Sequence, residues 1–166
     1  ILFGHSMGSL AVRAFARDHD DCMDMLIICG SPSKNSARPV GEVIAHVESA
    51  LFGPAHRSKV IETLSFAGNV LRFKNDKDCT SWICANKAVA QEYSDSELCG
   101  FTFTDDGYLA LFELMKRAYD VKHWHCTRPK MPVLFVSGSD DTCMINVRHF
   151  AKAVQDMRHA GYVDVR

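Results

Sequence analysis

The sequence has no charge excess of either sign. Nineteen Lys and Arg stand against twenty Asp and Glu, for a net charge of −1. That leaves no basic field to attract nucleic acid and no polybasic patch to hold a membrane surface. No apolar run is long enough to span a bilayer and no stretch reads as a secretory signal, so stable membrane insertion is not expected. The seven cysteines include no C-x-x-C pair. Their number is odd, and 47% apolar residues suffice for a core without stapling. Reduced thiols in a cytoplasmic setting are therefore expected; this also argues against a Cys79–Cys84 pair. Internal repeats and low-complexity segments are missing too. So is an initiator Met. Ile1-Leu2-Phe3 reads as a strand under way and Tyr162–Arg166 as a strand just begun. The sequence is expected to be an internal piece of a longer chain.

What is present is an α/β pattern. Ile1–Phe3 ends as a strand at Gly4. Met7 to His19 has helical spacing, with Leu10, Ala11, Ala14 and Phe15 on the apolar face and Arg13, Arg17 and Asp18 opposite. The apolar run from Asp24 to Cys29 suits a strand buried on both faces of a parallel sheet. Strand, helix, strand in this order is a βαβ unit. Helical patterns follow around Val40–Leu51, Ser58–Leu71, Cys84–Tyr93 and Tyr108–Tyr119. A second short apolar strand, Val133–Val136, leads to a helix over Asn146–His159, a cap at Gly161 and a last strand from Tyr162. The organisation expected is an α/β core formed by 1–30 and 126–166, interrupted by a mostly helical insertion over 31–125.

Gly4-His5-Ser6-Met7-Gly8 matches G-x-S-x-G, with a strand before it and a helix after it. Such a turn holds a serine Oγ clear of the sheet on strained backbone. Side chains two residues either side would collide, which accounts for glycine at both positions. Ser6 also stands at a helix N-terminus. There the Met7 N–H and the helix dipole favour an oxyanion. His5, beside the serine, is expected to face elsewhere.

A serine nucleophile needs a base, and the base needs an orienting carboxylate. The acid is expected in a loop after a parallel strand, where Asp140 and Asp141 follow Val133–Ser137. Asp141 is the preferred acid and Asp140 the alternative. Of the eight histidines, none is assigned as base. His149 and His159 follow the acid, but both fall within the helix before the last strand.

Together, GHSMGS, ICGSPS and PVLFVSGSDD resemble the α/β-hydrolase family. The GHSMG elbow is typical of its branch of monoacylglycerol lipases, lysophospholipases and serine aminopeptidase-like hydrolases. The resemblance implies the carboxyl-terminal half of an α/β-hydrolase parallel sheet, with 31–125 as a helical cap or lid. It aligns Ser6 with the nucleophile, Met7 N–H with one oxyanion donor and Asp141 with the acid. The second oxyanion donor would precede Ile1 and the histidine would follow Arg166. No turnover is then expected from this piece alone, and four missing strands would leave a sheet edge open. Leu51, Phe52, Phe66, Leu71, Phe73, Phe101, Phe103 and Phe112 are candidates for an apolar lining of the cap.

The expected activity is hydrolysis of carboxylic esters of small or lipid-like substrates through an acyl-enzyme. No metal ion or organic cofactor is needed for it. The rivals are an aminopeptidase-like or C–C hydrolase on the same triad, and a non-catalytic relative used as a binding module. His123-x-His125-Cys126 lacks a standard zinc spacing and reads as a connector. Ser9 reads as a helix residue that packs or bonds back to the chain. Arg13, Arg17 and Lys34 read as a solvated face.

Overall fold

Three parallel strands carry the first of two units. β1 (Leu2–His5), β2 (Leu26–Cys29) and β3 (Val133–Val136) lie side by side in that order. Leu2 pairs with Leu26, which in turn pairs with Val133. The computed structural model describes residues 1–74 and 81–166; Cys79 lies outside them. The described residues form two compact units, Ile1–Ser36 with Leu111–Arg166, and Ala37–Ala110.

In the first unit α1 (Met7–His19) connects β1 to β2, as the spacing predicts. Leu10, Leu26 and Ile28 are fully buried with Val133, Met157 and Tyr162. Each aliphatic side chain removed from water in this way contributes roughly 1.5–3 kcal/mol. The strands are not covered equally on both faces. In β2, Leu26 and Ile28 are buried while Ile27 and Cys29 are only half-buried. The last helix, α6 (Val147–His159), starts at Asn146, whose side chain accepts from the His149 N–H. Gly161 follows at φ 116°, a conformation that suits glycine. Where the last strand is expected, Val165 bridges Val133 in parallel, and Val133 N–H donates to Asp164 C=O at 2.9 Å and Phe135 N–H to Arg166 C=O at 2.8 Å.

Two expectations for α1 need correction. Ala11 and Phe15 are exposed, and the buried positions are Ser9, Leu10, Arg13, Ala14 and Ala16. Arg13 is not on a solvated face: it is 0% exposed and donates from Nη2 to the Ala118 carbonyl at 3.0 Å. Lys34 is exposed, and Arg17 pairs with Asp18 at 3.2 Å. Asp20 is a second buried charge. Its carboxylate accepts from Thr127 N–H at 2.9 Å, Arg128 N–H at 3.1 Å, Tyr162 O–H at 3.0 Å and the Thr127 hydroxyl. Burial opposes that charge, but the four donors outweigh it and hold the carboxyl below the usual carboxylate range. Burial in turn pushes the Tyr162 phenol well up, with its bond to Asp20 adding to the shift.

The second unit is helical, with α2 (Arg38–Phe52), α3 (Lys59–Arg72) and α4 (Lys87–Asp95). α5 (Asp105–Ala118) begins in this unit and ends in the first. Pro39 at the start of α2 suits a helical first turn, and Gly53 at φ 91° ends the helix. Ser58 and Asn86 cap α3 and α4 by accepting from Ile61 and Ala88 N–H. Arg57 and Thr104 form an antiparallel bridge in this unit. Ala45 and Ile61 are buried here, while Val40, Val43, Val47 and Leu51 of α2 are exposed. Of the expected lining residues, Leu51, Phe52, Phe66, Leu71 and Phe101 are also exposed. Phe112 is buried, in the first unit. Among the described residues, no helix is long and apolar enough to cross a membrane.

Candidate active site

The three strands run parallel, so their carboxyl ends present three loops on one edge of the sheet. Ser6 follows β1, Gly30 follows β2 and Asp141 lies beyond β3. Backbone bonds stitch these loops together. Ser6 N–H donates to Cys29 C=O at 2.9 Å, Gly30 N–H to Val136 C=O at 2.8 Å and Ser33 N–H to Cys143 C=O at 2.9 Å. The Ser33 hydroxyl adds a bond to the Met144 carbonyl at 2.8 Å. With β2 between them, the ends of β1 and β3 stand about 10 Å apart, two strand spacings.

Ser6 sits at φ 51° and ψ −123°. A side chain at positive φ is strained, by roughly 1–3 kcal/mol for such outliers. Serine at a helix start normally uses its oxygen to cap the next amides. Ser6 makes no side-chain capping bond, which leaves its hydroxyl uncommitted to the helix end. Ser9, fully buried, instead donates its hydroxyl to the Ser6 carbonyl. Met7 is the first residue of α1, so its N–H belongs to the first-turn amides that lack an intrahelical acceptor.

The two elbow glycines are not equivalent. A Cβ on Gly4 would lie 2.4 Å from the Gly8 carbonyl oxygen and 2.6 Å from Val12 Cγ2. A Cβ on Gly8 would meet nothing within 4 Å among the described residues. The expected steric requirement therefore holds at Gly4 and not at Gly8. α1 is laid across the end of β1 so closely that the strand must give up its side chain there.

Asp141 is held on both oxygens. Ser137 Oγ donates to Oδ2 at 2.7 Å, and Cys143 N–H donates to Oδ1 at 2.8 Å. The carboxylate thus opens the 3-10 turn Thr142–Met144, which ends at Ile145 with φ 63°. A β-branched residue is rare there, so this turn is a second strained point on the same edge. Burial, and then the Asp141 charge, push the Cys143 thiol up to about 12. Asp140 is exposed. A Cβ on Gly30 would lie 3.4 Å from Asp141 Oδ2 and 3.2 Å from His5 Nε2, so the His5 ring faces the loop that carries Asp141. Gly30 itself has φ 53°.

Three other histidines of this unit have partners or positions of their own. His149 Nδ1 is 2.9 Å from Asn146 Oδ1, His159 is exposed in the last turn of α6, and His123 Nδ1 is 2.6 Å from Asp120 Oδ2. Sequence reasoning missed Ser137 and the Cys143 N–H as partners of Asp141. An Asp two residues ahead of an amide is the pattern of an Asx turn, and that signal was readable.

The family model described as serine aminopeptidase, S33, matches residues 1–161. Comparison with curated protein sequences gives no match. Among solved structures, a lipase in an open form superposes with a TM-score of 0.82 at 20% identity, over 99% of this chain and 54% of that one. A highly thermostable carboxyl esterase from Bacillus coagulans gives 0.84 at 16% identity, over 99% and 54%. A monoacylglycerol lipase from Paleococcus ferrophilus gives 0.66 at 20% identity, over 99% and 55%. The chain spans about half the length of the structures it resembles.

Proposed function

Because the chain belongs to the serine aminopeptidase S33 family of α/β hydrolases, we propose that it supplies the nucleophile and the acid of a serine hydrolase. Carboxylic esters of lipid-like alcohols or head groups are the proposed substrates. The observation that carries this reading is Ser6 itself, a non-glycine residue at φ 51° between a strand and a helix, with its side chain unused in capping. Ser6 Oγ attacks the acyl carbonyl while a histidine, contributed from elsewhere in the intact protein, takes its proton. Met7 N–H stabilises the tetrahedral oxyanion, and Asp141 orients the histidine. The ester alcohol departs with that proton. Water, deprotonated by the same histidine, then releases the acyl group as the acid. None of these steps calls for a metal ion or an organic cofactor. The proposed setting is cytoplasmic, with the thiols reduced; the six described cysteines are free.

The neighbours named as lipase, carboxyl esterase and monoacylglycerol lipase support an ester substrate. The exposed aliphatic stripe of Val40, Val43, Val47 and Leu51 supports an apolar one, since such a stripe marks a surface with an apolar partner. The family description favours one second reading, an aminopeptidase-like activity on the same residues.

Intact-mass labelling of the whole protein with a fluorophosphonate tests the nucleophile. One adduct on the wild type and none on Ser6→Ala is the expected result. A folded wild type that takes no adduct would remove the hydrolase reading. A panel of acyl esters and aminoacyl amides then separates the two substrate classes.

A further inference from the structure

The Ala37–Ala110 unit holds a cluster that the hydrolase reading does not use. Glu48 lies in the last part of α2, His56 in the loop after it and Asp105 at the first position of α5. One ligand atom from each lies within 4.8 Å of the other two. No other such group is found among the described residues. Asp105 is 0% exposed; its Oδ2 lies 3.1 Å from His56 Nδ1, while its Oδ1 is buried with no hydrogen-bond partner. Glu48 Oε2 is likewise buried and unpartnered.

Each of the two carboxylates that meet in this cluster keeps one bare oxygen out of water, which is costly unless a positive partner lies near. The backbone nonetheless fixes the trio. Asp105 N–H donates to His56 C=O at 2.8 Å, and Asp106 N–H to Pro54 C=O at 3.3 Å. The Arg57–Thr104 bridge lies alongside. His56 N–H donates back to Gly53 C=O at 3.1 Å, and the imidazole packs tilted against the Phe52 ring with centroids 4.9 Å apart.

We propose that Glu48, His56 and Asp105 bind one divalent transition-metal cation, with zinc the best match. One imidazole nitrogen and two carboxylate oxygens are a borderline donor set that suits zinc, at metal–ligand distances of about 2.0–2.2 Å. Calcium and magnesium prefer oxygen donors throughout. The side chain of His56 is 33% exposed, which gives an ion a way in and leaves room for water to complete the coordination. The cation joins the end of α2 to the start of α5, segments some fifty residues apart, and so clasps the helical unit. Its role is structural, separate from Ser6 and Asp141.

The test uses the intact protein, stripped with EDTA, dialysed and titrated with zinc chloride in a calorimeter, with melting followed in parallel. One equivalent is expected to bind, with Tm raised by roughly 5 °C or more at a hundredfold excess over Kd. Glu48→Gln and His56→Gln should each weaken binding at least tenfold, a loss typical of disturbing a metal site. His123→Ala should leave it unchanged. Asp105→Asn also breaks the bond to His56, so the decision rests on the other two variants. Saturable binding that persists in Glu48→Gln and His56→Gln, or that vanishes in His123→Ala, overturns the proposal. So does a wild type that takes up no stoichiometric zinc.

Discussion

The Arg13 guanidinium carbon lies 4.2 Å from the centre of the Tyr119 ring. Phe135 flanks the same group at 5.9 Å. Arg13 therefore spends its charge on an aromatic face and one carbonyl, while Nε and Nη1 lack partners among the described residues. Desolvating a cation with two bare donors offsets most of what it gains. Arg13→Met keeps the volume and removes the charge. It should leave stability within about 1 kcal/mol of wild type, or raise it, by urea unfolding. Arg13→Ala leaves a cavity and should cost about 2–4 kcal/mol.

The elbow glycines give the second prediction. Gly4→Ala forces a methyl group into the Gly8 carbonyl and Val12. It should cost roughly 2–3 kcal/mol and abolish fluorophosphonate labelling, because the turn must shift. Gly8→Ala meets open space inside a helix. It should fold, and melt slightly higher, by up to about 1 kcal/mol of helix propensity. The motif alone predicts equal damage at both positions, so paired melting curves decide between the two.

Asp20 sets an acid limit on stability. Its carboxyl is held below the usual range when folded, burial opposing and four hydrogen bonds prevailing. A depressed pKa stabilises the fold above the unfolded value of about 3.9, and that stabilisation is lost as pH falls through the folded value. Asp20→Asn should therefore melt well below wild type at pH 7, by roughly 2–4 kcal/mol. The difference should shrink steadily below about pH 4.

Asp141 is tested in the intact protein by pairing it with its neighbours. Asp141→Asn should lower kcat on an ester by about 10³–10⁴ with little effect on KM, if it orients the base. Ser137→Ala removes one of the bonds that hold the carboxylate, and a drop of about tenfold is expected. The Cys143 thiol, pushed up to about 12 by burial and the nearby charge, should resist iodoacetamide at pH 8 in the native state. Peptide mapping before and after unfolding reads this directly.

Local signals carried most of the architecture. α1 and β3 fall on the residues that spacing and apolar runs indicate, because each signal lies within one segment. Arg13 escaped because only Ala118, Tyr119 and Phe135, all distant in sequence, make its burial tolerable. Phe15 departs from the expectation because helical spacing of apolar residues alone marks Leu10, Ala11, Ala14 and Phe15, whereas the buried face includes the polar Ser9 and Arg13. Ser6 and Asp141 could be nominated from the motif and the strand-end loop. The Ser137 and Cys143 bonds to Asp141 are local and fit the Asx-turn signal, whereas the one-sided crowding of the elbow exists only once α1 is laid against the end of β1. The Glu48–His56–Asp105 cluster has no spacing a motif could record, since Asp105 arrives from the far side of α3 and α4.

β2 finds its neighbour β3 by pairing Leu26 with Val133, more than about a hundred residues later. At roughly 5–20 residues per second, synthesis alone separates the two by about 5–20 s. The apolar face of Leu26 and Ile28 must wait that long for Val133 and Phe135 to leave the ribosome. The continuous stretch Ala37–Ala110 is complete well before then and can form on its own contacts. Folding during translation is therefore expected to run out of spatial order. The helical stretch is expected to consolidate first and the pairing of β2 with β3 to follow, and in the interval the apolar face of β2 stays uncovered.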